Sequence, residues 1–152
     1  MNSLALSYAV NLLARREYSE FELRNKMQEK AFSDEEIDQV IAHCQQKNWQ
    51  NDQRFSENYI RYRAQRGYGK KRIQQELRQL KGVQNTVIEQ ALDEVELDWY
   101  ALALQLLSKK FPNYTESQTP KQKQKIWQYM LSHGFHTDEF VDYVGAGISD
   151  FD

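Results

Sequence analysis

Cysteine, proline and glycine are all scarce in this sequence, and each scarcity excludes something. A single cysteine, Cys44, leaves no disulfide framework and no cysteine-based zinc site. Two prolines and six glycines in 152 residues remove the two residue types that helix interiors tolerate least, so the chain can be helical almost throughout. No short stretch alternates convincingly as a strand. Long apolar runs are missing too: nothing approaches the roughly 20 residues needed to span a bilayer. The N-terminal stretch MNSLALSYAVNLLARREYSE has no basic leading segment, and its apolar residues are interrupted at helical spacing, which excludes a signal peptide. A cytoplasmic protein with no membrane partner is expected.

Catalytic signatures are equally absent. There is no GxSxG, HExxH, Walker loop or GxGxxG. His133 and His136 are three apart, but Gly134 lies between them and no third ligand is evident, so no metal site and no cofactor are expected. Cys44 falls on the apolar stripe of its helix and reads as a small buried hydrophobe. The chain is therefore read as a binding protein and not an enzyme.

What is present is a succession of helix signals. Leu4, Tyr8, Leu12 and Leu13 predict an amphipathic helix over about 3–16. Ser19 with Glu22, and Ser33 with Glu36, are capping boxes. The first opens a helix with Phe21 (or Leu23), Met27 and Ala31 inward; the second opens one with Ile37, Val40, Ile41 and Cys44 inward. Asn51 or Asp52 starts a further helix with Phe55, Tyr59 and Tyr62 on its core face. Gly67-Tyr68-Gly69 breaks it. A helix from about Lys70 to Lys81 follows, with Ile73, Leu77 and Leu80 inward, and Gly82 stands at its C′ position. Asn85 caps the next, which carries Val87, Ile88, Ala91 and Leu92 (or Val95). A helix from near Asp98 turns Tyr100 or Ala101, Leu104 and Leu107 inward. After a polar loop over 111–118, Thr119-Pro120 starts a helix with Ile126, Trp127, Met130 and Leu131. Thr137 caps a short last helix with Phe140, Val141 and Val144.

These elements repeat. Lys30-Ala31-Phe32-Ser33, Lys81-Gly82-Val83-Gln84 and His133-Gly134-Phe135-His136 occupy equivalent places, with Ala31 and Gly82 51 positions apart and Gly82 and Gly134 52 apart. Tyr18-Ser19 and Tyr68-Gly69 are 50 apart. A fixed period with repeated punctuation marks an array whose units share buried surface. The expectation is an all-α fold of three tandem three-helix repeats, 1–50, 51–97 and 98–145, followed by an acidic tail over 146–152. Trp49 and Trp99, at the repeat boundaries, are expected to pack between repeats.

The net charge of −2 hides segregation. Residues 54–81 hold nine bases against Glu57 and Glu76. The candidate binding residues are Arg54, Arg61, Arg63, Arg66, Lys70, Lys71, Arg72 and Arg78. Three consecutive bases opening a helix oppose its dipole, which helix stability alone does not reward. An anionic partner, either nucleic-acid phosphates or an acidic protein groove, does account for them. A solvated basic face balanced by the acidic stretch 89–98 is the structural alternative. Lys109, Lys110, Lys121, Lys123 and Lys125 extend the basic character into the third repeat and favour a partner.

The central run Asn51-Asp52-x-Arg54-Phe55-Ser56-Glu57-x-Tyr59-Ile60-Arg61-x-Arg63, then Arg66-Gly67-Tyr68-Gly69-x-x-x-Ile73-x-x-Glu76-Leu77, then Lys81-Gly82-Val83, resembles the signature of the bacterial RecX regulatory proteins. Ala5-Leu6-x-Tyr8-Ala9-x-x-Leu12-Leu13-x-x-Arg16 with Tyr18-Ser19-x-x-Glu22-Leu23 matches the family's N-terminal pattern, and His133-Gly134-Phe135 its closing repeat. The likeness covers essentially the whole chain. Two positions depart from the pattern: Ala31 stands where glycine is usual, and Asn51 where the first of two aspartates is common. The resemblance implies a curved, elongated array of three-helix repeats. It further implies a monomer that lies in the groove of the RecA–single-stranded DNA filament, limits its growth, and lowers ATP hydrolysis, strand exchange and co-protease activity. The competing function is a helix-turn-helix type module acting on free DNA. Strong, salt-sensitive binding to naked DNA would mark that reading, and the overall acidity argues against it.

Overall fold

The computed structural model describes residues 1–145, and residues 146–152, the expected acidic tail, lie outside the described residues. Every regular element among the described residues is helical. In chain order they are α1 (Ser3–Arg15), α2 (Glu20–Glu29), α3 (Asp34–Gln46), α4 (Asp52–Gln65), α5 (Lys70–Gln79), α6 (Asn85–Val95), α7 (Trp99–Lys110) and α8 (Pro120–Ser132). A 3-10 turn (Thr137–Glu139) and α9 (Val141–Val144) complete them. The fold is all-α, three three-helix repeats in tandem.

The caps form as the sequence requires. Ser19, Ser33 and Thr119 each accept from the third backbone N–H of their helix, while Glu22, Glu36 and Gln122 reach back, satisfying orphan amides at both positions. Asn51 caps α4, its Oδ1 accepting from Arg54 N–H at 2.9 Å. Asp52 serves a different helix: its carboxylate accepts from the Glu20 N–H at the start of α2, at 2.8 Å. Two expected caps differ. α6 begins at Asn85 itself, whose side chain accepts from Arg78. Thr137 lies inside a 3-10 turn that His136 precedes, so the last repeat ends in a turn and a single helical turn instead of one continuous helix.

The equivalence of the three repeat boundaries is visible in the backbone. Ala31, Gly82 and Gly134 all adopt left-handed φ, at 62°, 65° and 95°. Each lies one residue before an inward side chain, Phe32, Val83 or Phe135, whose N–H returns to a carbonyl of the preceding helix.

Several expected core faces are rotated. On α1 the buried residues are Ala5, Ala9 and Leu12, and Leu4 is 75% exposed. Leu23 and Met27 face inward on α2, leaving Phe21 and Ala31 outside. Ala103 and Leu107 do so on α7, leaving Tyr100 and Ala101 exposed. The reason is close approach: helices meet where small side chains let their backbones near, and large residues one step round the cylinder fall at the rim. Leu131 is likewise at the rim of α8. Leu80 is exposed because α5 ends at Gln79, so Leu80 lies past the helical register that would carry it inward. The contacts recorded for the Trp49 ring lie within the first repeat. Trp49 is 44% exposed and meets the His43 ring edge-on at 5.6 Å. Trp99 is partly buried at the start of α7.

Internal contacts divide the chain into two units, and the division passes through the middle repeat. Unit 1 comprises residues 1–59 and 76–95; among the described residues unit 2 comprises 60–75 and 96–145. Both α4 and α5 therefore give one half to each unit. The buried row of α4 turns accordingly, from Phe55 and Ser56 to Ile60 and Ala64. Tyr62, in phase with Phe55, is left 53% exposed, contrary to the core role its spacing suggested.

Unit 1 has an apolar core that includes Leu12, Leu23, Met27, Ile37, Ile41 and Cys44. Burial raises the Cys44 thiol above its ordinary pKa, consistent with a packing role. Polar groups lock its α2 against the end of α5. The fully buried Ser19 hydroxyl donates to the Lys81 carbonyl at 2.8 Å, and Lys81 Nζ pairs with Glu22 at 3.1 Å. Buried Gln50 joins Gln45, the Tyr18 carbonyl and Asp52. Unit 2 has an apolar core that includes Ala103, Leu107, Ile126, Met130, Phe135, Phe140 and Val144.

Candidate functional site

Residues 60–75 contain six bases and no acid. They supply the second half of α4, the glycine turn and the first half of α5, all in unit 2. Helix α4 must stop here because Gly67 takes a left-handed φ of 93°, and Tyr68 N–H then returns to the Arg63 carbonyl at 3.2 Å. Gly69 restarts the chain against the end of α8. Its N–H donates to the His133 carbonyl at 2.6 Å, and Lys71 N–H donates to the Gly134 carbonyl at 3.1 Å. Two amides at the positive end of α5 are thus satisfied by carbonyls at the negative end of α8.

The ring of Tyr68 organises the side chains around this junction. The Arg63 guanidinium carbon stands 3.8 Å from its centroid and that of Arg72 4.5 Å. Both guanidinium groups therefore share one ring as their anchor. His133 stacks on the same tyrosine, centroids 5.2 Å apart and 11° from parallel, and on Tyr129 at 4.1 Å. His133 Nδ1 lies 3.0 Å from the Tyr129 carbonyl, so the proton on that nitrogen is assigned to this bond. Lys110 lies over Tyr129 at 5.4 Å. A continuous run of cation–π and ring contacts therefore joins the glycine turn to α8 and the end of α7. Each such contact adds about 0.5–1 kcal/mol at exposed positions.

The eight sequence candidates separate. Arg61, Arg63, Arg66, Lys70, Lys71 and Arg72 belong to unit 2. Arg61, Arg66 and Lys71 are exposed; Lys70 is partly buried at the first position of α5. Arg66 lies over Tyr62 at 5.0 Å and, with Lys109, flanks a small pocket lined by Gly67, Leu102 and Leu106. Arg72 donates to the Ser132 carbonyl at 3.1 Å. Arg54 and Arg78 belong to unit 1. Arg54 is committed there: it binds Glu17 at 2.8 Å and the carbonyls of Asn48 and Trp49 at 2.8 and 3.1 Å. Arg78 is exposed, with only a long contact to Asn85. Periodicity did not reveal the ring stack. The only signal was that Tyr68 and His133 each precede a glycine at a point of repeat punctuation.

Such an arrangement attracts and orients anions. Among the described residues no group of histidine, cysteine, aspartate or glutamate has the geometry to hold a metal. No helix among them is long and apolar enough to cross a membrane.

Comparison with known proteins covers nearly the whole chain. Three family models match in order: "RecX, first three-helix domain" over residues 5–44, "RecX, second three-helix domain" over 51–92, and "RecX, third three-helix domain" over 96–140. "Regulatory protein RecX" of Haemophilus influenzae is 66% identical over 152 residues, the full length of both chains. That of Mannheimia succiniciproducens is 61% identical over 99% of this chain and 98% of its own. A crystal structure of RecX from Lactobacillus salivarius superposes with a TM-score of 0.79 at 22% identity, covering 93% of each chain. A second RecX crystal structure gives the same TM-score at 23% identity, covering 93% of this chain and 71% of its own. At that identity the two structures speak to the fold.

Proposed function

The chain belongs to the RecX family, and from that premise we propose that it regulates the RecA recombinase, binding the RecA–single-stranded DNA filament and lowering its ATPase, strand-exchange and co-protease activities. It does so as a cytoplasmic monomer, by occupying surface on the filament and without chemistry of its own. The contact face is the basic side of unit 2: Arg61, Arg63, Arg66, Lys70, Lys71 and Arg72, extended by the lysines of the third repeat. The observation that carries this reading is the six bases without an acid on residues 60–75, of which Arg63 and Arg72 are anchored on the Tyr68 ring. Many modest contacts over such a face add up to a tight complex, with the ordering cost lowered at Arg63 and Arg72, which already rest on Tyr68.

The experiment is RecA's DNA-dependent ATPase with this protein titrated in. Inhibition is expected at stoichiometric or lower ratios, and its absence would sink the reading. Changing Arg61, Lys70 and Lys71 together to Ala removes three charges while leaving the stacked Arg63 and Arg72 alone. That variant should fold normally and inhibit on the order of tenfold more weakly. Undiminished inhibition would move the contact face elsewhere.

A further inference from the structure

We propose that Tyr62 is a stacking platform for an unpaired nucleobase, so that the basic face of unit 2 binds single-stranded nucleic acid directly and prefers it to duplex. The inference deepens the reading above, since it says what the same face takes, but it is tested without RecA.

Tyr62 lies two residues from both Ile60 and Ala64, the buried row of this half of α4, and so on the opposite side of the helix. The residue is 53% exposed. It sits between Arg61 and Arg63 in the chain, and Arg66, one turn on, places its guanidinium 5.0 Å from the ring centroid. The other tyrosine of this region, Tyr68, has its ring engaged by Arg63, Arg72 and His133. Among the described residues, the ring contact recorded at Tyr62 is that of Arg66.

A face that met only phosphates, or only acidic side chains, would need cations and no ring. A ring among cations adds a π surface beside the charges. That surface is usable by a polymer whose bases are unstacked and whose phosphates run alongside. A duplex keeps its bases inside and leaves the ring idle. The Arg66 guanidinium is planar and can continue the stack on the next base or turn to a phosphate. Lys109, which lines the same pocket as Arg66, adds a further cation for a phosphate within unit 2.

The test is fluorescence anisotropy of labelled oligothymidylate and of a duplex of the same length, at one fixed salt concentration. The full chain, Tyr62→Ala and Tyr62→Phe are compared, with melting curves to show that all three fold alike. The parent should prefer the single strand. Tyr62→Ala should lose about tenfold on the single strand and less than about twofold on the duplex. Tyr62→Phe, which keeps the ring, should match the parent. Equal affinity of the parent for both probes, or an Ala variant that binds the single strand as the parent does, overturns the proposal. So does competition by polyglutamate that is indifferent to Tyr62, which would give the face to an acidic protein. A parent that inhibits RecA but ignores free oligothymidylate overturns this inference alone. Tyr62-dependent strand binding without RecA inhibition overturns the regulatory reading alone.

Discussion

Gly69 and Gly134 meet backbone to backbone: a Cβ placed on Gly69 would lie 2.5 Å from the carbonyl carbon and oxygen of Gly134. The reverse contact is as tight, since a Cβ on Gly134 would stand 2.3 Å from Cβ of Arg72. Backbone cannot swing aside as a side chain can, so neither residue has a tolerated replacement. Gly69→Ala should part the start of α5 from the end of α8, break the Gly69–His133 and Lys71–Gly134 hydrogen bonds, and unstack Tyr68 from His133. The expected cost is about 2–3 kcal/mol, or a fall in Tm of roughly 5–10 °C. RecA inhibition should fall with it, because Arg63 and Arg72 lose their common ring. An Ala variant that melts with the parent would show that the junction is looser than its geometry.

Ala31 occupies the position at which the other two repeats carry glycine, and it adopts the same left-handed backbone, φ 62° against 65° at Gly82 and 95° at Gly134. An L side chain is strained there, by roughly 1 kcal/mol. The residue is exposed, so nothing packs on its methyl that glycine would lose. Ala31→Gly should therefore stabilise the chain by about 0.5–1 kcal/mol, in spite of the added freedom of the unfolded state. Gly82→Ala should do the opposite and cost more. It adds the same backbone strain and drives a Cβ to 2.6 Å from Phe21. Thermal melting of the pair checks both signs.

Much of this fold was legible in the sequence because its punctuation is chemical. Ser19, Ser33 and Thr119 can cap only a helix start, and Gly82 and Gly134 mark helix ends. Which face each helix buries was less legible. Apolar periodicity weighs leucine and tyrosine heavily and alanine hardly at all, yet Ala5, Ala9 and Ala103 lie at the close contacts while Leu4 and Tyr100 do not. Tyr62 shows a second limit. A period counted from Phe55 assumes one packing direction along α4, and the helix changes direction when its second half joins unit 2. The bases at 61–72 were legible as charge, but their sorting was not. Nothing local distinguishes Arg54, tied to Glu17 from another helix boundary, from Arg61, which is exposed. That partner, Glu17, comes from 37 residues away in the chain.

That sorting is testable. Arg54 holds Glu17 and closes the Asn48–Trp49 turn by two carbonyl hydrogen bonds, with its side chain 33% exposed. Arg54→Ala should cost about 1–2 kcal/mol of stability, since three acceptors lose a charged donor. It should leave RecA inhibition within about twofold of the parent when measured well below the melting range. Lys71→Ala should behave the other way round, weakening inhibition with a stability change inside ~0.5 kcal/mol. If Arg54→Ala weakens inhibition more than Lys71→Ala at equal folded fraction, the contact face extends into unit 1.

Glu22 makes unit 1 sensitive to acid. Burial pushes its carboxyl up, but the Arg16 hydrogen bond, the Ser19 N–H and Lys81 together outweigh that and hold it below its ordinary value of 4.5. A carboxylate lowered in the folded state adds stability that is fully present above its unfolded pKa and is lost as the pH falls through the folded one. Stability of the parent should therefore be level from neutrality down to about pH 5 as far as Glu22 is concerned, then decline as the carboxylate protonates. Glu22→Gln keeps the reach back to the Ser19 N–H that completes the capping box, but it gives up the charge that Arg16 and Lys81 share. With the Glu22 side chain 15% exposed, the loss at neutral pH should be about 1–2 kcal/mol, between the values of surface and buried pairs. The difference between parent and variant should shrink below about pH 5 and vanish once Glu22 is protonated in the parent. Denaturant unfolding at a series of pH values reads this directly. A difference that is constant with pH would assign the effect of Glu22 to packing and hydrogen bonding instead of to its charge.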